Sequence, residues 1–312
     1  MSKEAFIRAL ENKSLPEIQA NPKTDLHNHA GRGGTIAYIE KLLNVKIAPL
    51  TEKFNSVGEM DEWFVNNVKC HFHDKSGYLI RVAAAFAQAK ADNIAALALN
   101  YGVAEVKFLG GIDIFIAIMN GLHKHFAPET KLIPDLLLWS PNDLNQLDEI
   151  FSANWFKGID IVNYVNADKC TIGELKAMSR KAHKCGLTKK AHIGEFGGAD
   201  DVLRYAEDLE LDQIQHGIAA AESPHIMNWL AKHKIQLNIC PTSNIILKNS
   251  KSYETHQIRK LFDYGVPVTI NSDDLLIFNA TVSQEYLNLY EAGLMSADEL
   301  NIIRETGLQS AQ

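Results

Sequence analysis

Short apolar runs alternate with longer amphipathic stretches along most of the chain. Strand-like runs are expected at residues 24–29, 103–108 (VAEVKF), 132–139 (LIPDLLLW), 158–162 (GIDIV), 188–193 (TKKAHI), 212–216 (DQIQH), 235–240 (IQLNIC) and 266–271 (VPVTIN). Helical patterns lie between most of them, at 84–101, 174–185, 199–211 and 224–234, and a short amphipathic helix precedes the first. Strands alternating with helices predict βαβ units and a parallel sheet. Eight such units predict an α/β fold closed into a (β/α)8 barrel, with residues 1–312 as a single domain. No repeat, low-complexity segment or linker suggests a second one.

One connection is unusual. Roughly seventy residues separate the first predicted strand from the second, where a βα loop typically has about 2–6. The stretch carries Gly31, Gly33 and Gly34, then Phe54, Trp63 and Phe64, then a long helix. Loops after barrel strands build the active-site face. This one is either a helical lid over a substrate or a surface excursion with helices of its own, and the sequence leaves both open.

Bulk chemistry narrows the function. The 312 residues are 46% hydrophobic, enough for one large core, and 31 Lys plus Arg against 38 Asp plus Glu give a net charge of −7. That balance disfavours nucleic acid as a partner, because phosphate binding needs a basic surface. The four cysteines, Cys70, Cys170, Cys185 and Cys240, form no C-x-x-C pair, which suits a reducing compartment. The N-terminal stretch is charged and lacks the apolar centre of a signal peptide, and no apolar run approaches the ~20 residues of a membrane span. A cytoplasmic enzyme acting on a small molecule is expected, with no membrane partner. Oligomeric state is not legible.

Histidines carry the sharper signal. Three H-x-H triplets occur, His27/His29, His71/His73 and His123/His125. Residues i and i+2 share a face on a strand and diverge on a helix. His27 and His29 end the first predicted strand, so their imidazoles can meet one ion. His71 and His73 sit in charged helical sequence (VKCHFHDK), and His123 and His125 close a helix before Pro128. Only the first pair is read as chelating. His192 then ends the fifth predicted strand, His216 the sixth, and Asp273 follows the eighth. Three imidazoles and a carboxylate form a reasonable zinc set with a position left for water. A second ion is not expected, because the fourth strand's end, Ile161-Val162-Asn163-Tyr164, offers no bridging carboxylate or lysine. Cys240 reads as a buried core residue.

His27-Asn28-His29, His192-Ile193-Gly194-Glu195, Gln215-His216-Gly217, Cys240-Pro241-Thr242-Ser243-Asn244 and Ser272-Asp273-Asp274 resemble, in order and spacing, the H-x-H, H-A-G-E, H-G, C-P-T-S-N and S-D-D motifs of the adenosine deaminase family. The resemblance runs from about residue 15 to about residue 301. Neither the H-x-E nor the P-C-x-x-C motif of the cytidine-type zinc deaminases is present. The resemblance implies an amidohydrolase barrel holding one zinc ion on His27, His29, His192 and Asp273. It implies Glu195 as proton donor to purine N1, His216 as the group that positions and helps deprotonate water, and Asp274 as a contact to N7. Gly194 would let the backbone approach the substrate. Two plain alternatives are helix capping by Glu195 and by Asp274.

The chain also departs from the family. Gly31 occupies the place of an aspartate that binds the ribose 5′-hydroxyl, and near Asn163 a glycine that contacts N3 has been replaced. Arg32 could then meet a phosphate or carboxylate, or point into solvent. The leading expectation is hydrolytic deamination of adenosine or a close relative. The competitors are an amidohydrolase acting on another amino-heterocycle or a 5′-modified aminopurine, and a barrel that only binds.

Overall fold

The computed structural model describes residues 3–71, 74–162 and 170–312. Eight parallel strands run in sequence order around one sheet. They are β1 (Lys23–His29), β2 (Ile94–Gly102), β3 (Lys131–Leu138), β4 (Gly158–Val162), β5 (Thr188–Ile193), β6 (Gln213–His216), β7 (Gln236–Ile239) and β8 (Val268–Ile270). A parallel bridge between Asn28 and Asp273 joins the two edges, and the Asp273 amide donates to the His27 carbonyl at 3.0 Å. Closure, invisible in the sequence, is carried by the segment that bears the ligand candidates. Among the described residues no helix is long and apolar enough to cross a membrane.

Seven strands fall where the pattern places them, and the second does not. Residues 103–108 form part of a helix, Val103–Leu109, while β2 lies inside the stretch expected to be helical. The preceding helix, Lys75–Ala91, stops at Asp92, and Asn93 takes φ +51°. β2 reads IAALALNYG and is buried on both faces. A doubly buried parallel strand shows no alternation, and its alanines and leucines are strong helix formers. Gly102 and Gly110, the latter at φ +116°, bracket the short helix, and Glu105 Oε2 accepts from the Gly102 amide at 2.9 Å. Burial, not propensity, decides this pair.

The β1–β2 connection therefore runs from His29 to Ile94 and holds helices Ile36–Leu43, Val57–Asn67 and Lys75–Ala91. It is docked on the barrel mouth. Ile39, Phe54, Met60 and Phe64 share an apolar cluster with Leu247, Leu276, Ile277 and Phe278 from the segments after β7 and β8. The Phe54 amide donates to Ile246 O at 3.0 Å, and Leu276 N to Arg32 O at 2.8 Å.

Polar residues fill much of the barrel interior. Asn100 Nδ2 and Gln215 Nε2 donate to Asp160 Oδ2 at 2.7 and 2.9 Å, and Asn238 Nδ2 donates to Gln215 Oε1 at 2.9 Å. Thr269 Oγ1 donates to Asn238 Oδ1, Asn271 Nδ2 to Thr269 Oγ1, and the Leu26 amide to Asn271 Oδ1. The chain of bonds circles from β2 to β1 beneath the mouth. Such a network rigidifies when its members are satisfied.

Behind the mouth sits Glu285, fully buried, accepting from the Thr242 amide at 2.9 Å. Burial pushes its carboxyl up to about 8, against an ordinary 4.5. A carboxyl whose folded pKa is raised contributes stability below its unfolded pKa and loses it as pH rises through the folded value. Glu285→Gln, which keeps an acceptor for Thr242, should accordingly gain on the native chain by up to a few kcal/mol between about pH 5 and pH 8. Denaturation midpoints of the two proteins at several pH values check this; a constant difference contradicts it.

Candidate active site

Each motif residue sits at a strand's C-terminal end or in the turn after it. His27 and His29 close β1 with both rings on one side, His192 ends β5, and His216 ends β6. His216 at φ +63° and Asp273 at φ +59° are non-glycine residues in the left-handed region. His and Asp tolerate it better than most, and such conformations gather at functional sites. Gly194, at φ +70°, is required for another reason. A Cβ there would stand 2.5 Å from Val202 Cγ2. The tight approach is thus to the following helix, and Gly194 does not line the cavity.

The four expected ligands come together. His27 Nε2 and His192 Nε2 stand 3.0 Å apart, His29 Nε2 is 3.3 Å from Asp273 Oδ1, and His27 Nε2 is 3.6 Å from the same oxygen. Donors around one tetrahedral zinc at 2.0–2.1 Å stand roughly 3.3 Å apart. Overlapping groups of potential ligand atoms within 4.8 Å of one another bring His216, Asp274, Glu195 and Cys240 to the edge of the set. His71 belongs to none of these groups; His73 lies outside the described residues.

Donor chemistry agrees with the spacing. His192 Nδ1 is 3.0 Å from Asp160 Oδ1. A carboxylate only accepts, so Nδ1 carries the proton and the Nε2 lone pair faces inward. Facing it at 3.0 Å is the Nε2 of His27, whose other nitrogen lies 3.5 Å from Cys240 Sγ. Burial drives His27 well below the ordinary imidazole value and His216 down to about 3. Burial opposes protonation of His29 too, but Asp274 and Asp273 outweigh it and raise that ring to about 9. Burial also opposes ionisation of Asp273, yet the surrounding imidazoles hold it well below the carboxylate range. The His27 imidazole that burial keeps neutral and the ionised Asp273 carboxylate fit a divalent cation, whose charge would take the place of the proton that Asp273 and Asp274 favour on His29.

Asp160 escaped the sequence reading. It lies within the apolar run GIDIV, and a fully buried carboxylate there was the available signal. Burial opposes its ionisation, but His192, His27 and the amide of Gln215 hold it well below its ordinary value. Asp160→Asn should keep the fold and weaken divalent-metal affinity by about 10–100-fold. Competition with a chelator measures this, and unchanged affinity contradicts it.

Beside these groups opens a cavity of about 290 Å³, lined by His29, Glu195, Asp273 and Asp274 at one end and by Arg81, Glu105 and Trp139 elsewhere. Met60, Asp61 and Phe64 of the β1–β2 connection also line it. Glu195 is buried, with Oε2 3.6 Å from His216 Nε2. It does not cap the next helix, Ala199–Asp208, whose N-cap is Gly198. Asp274 precedes helix Leu275–Phe278 and makes no side-chain cap. Its Oδ2 accepts from Arg32 NH1 at 2.8 Å, while Oδ1 is buried without a hydrogen-bond partner among the described residues. Asn244 Nδ2 is 3.1 Å from His216 Nδ1.

Gly31 and Arg32 both line the cavity. Arg32 does not point into solvent. Its other terminal nitrogen donates to Asp61 Oδ1 at 2.7 Å, and its guanidinium carbon lies 4.6 Å from the Phe64 ring centre. With a carboxylate on each side, it ties the β1–β2 connection to Asp274, and a substrate anion would compete with both. Asn163 lies outside the described residues.

Several known proteins are similar to this chain in sequence or in fold. The family described as adenosine deaminase matches residues 165–312. A putative adenosine/adenine deaminase of Treponema pallidum is 27% identical over 289 residues, 91% of this chain and 96% of that protein. Arabidopsis ADAL complexed with IMP superposes with a TM-score of 0.77 at 16% identity, covering 94% of this chain and 92% of that one. A Burkholderia ambifaria amidohydrolase with bound Zn gives a TM-score of 0.76 at 18% identity, covering 96% and 87%. These two likenesses are of fold. The protein is a hydrolytic deaminase on an amidohydrolase-type barrel. In sequence it resembles the adenosine deaminase family, whose model matches just under half of the chain.

Proposed function

We propose that the protein deaminates a 6-aminopurine nucleoside, converting adenosine and water to inosine and ammonia, with one zinc ion held by His27, His29, His192 and Asp273. The observation that carries this reading is the clustering of those four donors, in overlapping groups that also take in Glu195, His216 and Asp274, beside a cavity lined by His29, His192, Glu195, Asp273 and Asp274. A divalent ion there would supply a Lewis acid that makes water acidic enough to attack at neutral pH.

The side chains have distinct tasks. Attack at C6 breaks the ring's aromaticity, and it becomes easy when N1 gains a proton as the bond forms. Glu195, three residues past His192, supplies that proton as a general acid. His216 holds the attacking water in line with C6 and takes its proton. With Oδ2 bound to Arg32, Asp274 Oδ1 is left for the N7 edge, a contact that needs a proton on one partner because N7 and a carboxylate oxygen both only accept. C6 loses ammonia and becomes the carbonyl carbon of inosine.

The β1–β2 connection acts in this reading as a lid, anchored by Asp61, Arg32 and Phe64. One domain carries the whole site. A relative solved with IMP makes a 5′-phosphorylated substrate the second reading. Ammonia release from adenine, adenosine, 5′-deoxyadenosine and AMP by metal-loaded protein tests both. Turnover of adenosine supports the proposal, a preference for AMP favours the second reading, and inactivity on all four rejects both in favour of another amino-heterocycle.

A further inference from the structure

The cavity is also lined by two charged residues, Glu105 and Arg81, that the chemistry at C6 does not use. Glu105, in the helix after β2, has one oxygen fully engaged: Oε2 accepts from Tyr78 OH at 2.7 Å and from the Gly102 amide at 2.9 Å. Oε1 makes no hydrogen bond among the described residues, and the side chain lines the cavity. Arg81, which donates from Nε to Gly31 O at 2.8 Å, lines the same cavity. Gly31 lies beside both. A Cβ built there would lie 3.8 Å from Glu105 Oε1, 3.8 Å from an Arg81 terminal nitrogen and 3.4 Å from the Tyr78 ring.

We infer that Glu105, with Arg81 beside it, reads the substituent on N9 and selects a neutral hydroxyl-bearing sugar. The inference rests on the proposed purine chemistry. With N1 toward Glu195 on the β5 side and N7 toward Asp274 on the β8 side, the N3–N9 edge faces away from the ligand cluster. The wall left for it is the one formed by Gly31, Arg81 and Glu105. A sugar hydroxyl donates to Oε1, the carboxylate oxygen that makes no hydrogen bond among the described residues, with the positive Arg81 on the same side of the cavity. A phosphate is drawn to Arg81 and to Lys69 at the cavity's edge, but it meets the Glu105 carboxylate as a like charge. Burial raises Glu105 above its ordinary value, while the hydrogen bonds from Tyr78 and the Gly102 amide and the charge of Arg81 oppose that shift. Glu105 is thus a specificity-determining residue for the deamination.

The test pairs substrate truncation with residue truncation. Wild type should favour adenosine over 5′-deoxyadenosine, and Glu105→Ala should lower kcat/KM for adenosine by about 10–100-fold more than for 5′-deoxyadenosine, as expected for losing a hydrogen bond to a charged group. Equal losses on the two substrates, or no loss on either, overturn the assignment. Because Glu105 also caps its helix, Glu105→Gln gives a second arm that keeps an acceptor for Gly102 and Tyr78. Its ratio of AMP to adenosine turnover should rise by about 10-fold or more as the like charge is removed; an unchanged ratio overturns the assignment. Wild type that acts on neither nucleoside nor on adenine refutes the purine reading itself, and the inference falls with it. Turnover of adenine and 5′-deoxyadenosine without any effect of Glu105 refutes the inference alone.

Discussion

Glu195→Gln is expected to leave fold and metal content intact and to lower kcat by at least ~100-fold, the usual loss of a general acid. The substitution conserves volume at a buried position in the turn between β5 and helix Ala199–Asp208. It removes only the ability to hand over a proton. Glu195 is suited to the task by place: it faces the cavity, and its Oε2 lies 3.6 Å from the His216 Nε2 that borders the ligand cluster. Glutamine can still hydrogen-bond N1, so KM should change less than kcat. Near-normal turnover would show that N1 is protonated by another route.

His192→Ala is expected to have an effect of similar size through a different cause. It removes one proposed ligand and leaves Asp160, a buried carboxylate with two amide donors, without the imidazole it supports. An uncompensated buried charge is costly, so both bound metal and thermal stability should fall and activity should vanish. His71→Ala is the control, since His71 lies in a short turn, Lys69–His71, and belongs to no group of potential ligands among the described residues. Elemental analysis of both variants separates the outcomes. Full metal content in His192→Ala, or metal loss in His71→Ala, contradicts the proposed set.

The cluster of potential ligands was legible because its residues are tied to strand ends. An H-x-H pair on a strand must converge, and His192, His216 and Asp273 end or follow strands whose apolar runs are short and clear. The β2 error has the opposite character: IAALALNYG is buried on both faces, so the periodicity that marks a half-exposed strand is absent. Glu105 was hidden by that error, since residues assigned to a strand could not be placed on the helix that turns toward Gly31. Asp160 and Arg81 were hidden because their partners lie on elements distant in sequence. Arg32 shows the same limit. Its loop position was plain, but its two carboxylates, Asp61 and Asp274, come from a helix of the β1–β2 connection and from the segment after β8.

The most direct test of the account is a titration of metal-stripped protein with Zn²⁺ while the conversion of adenosine to inosine and ammonia is followed. Turnover should be absent without metal and should rise in proportion to bound ion until one ion per chain is reached. Full activity of the stripped protein, a break at two ions per chain, or no inosine at any metal loading would contradict it.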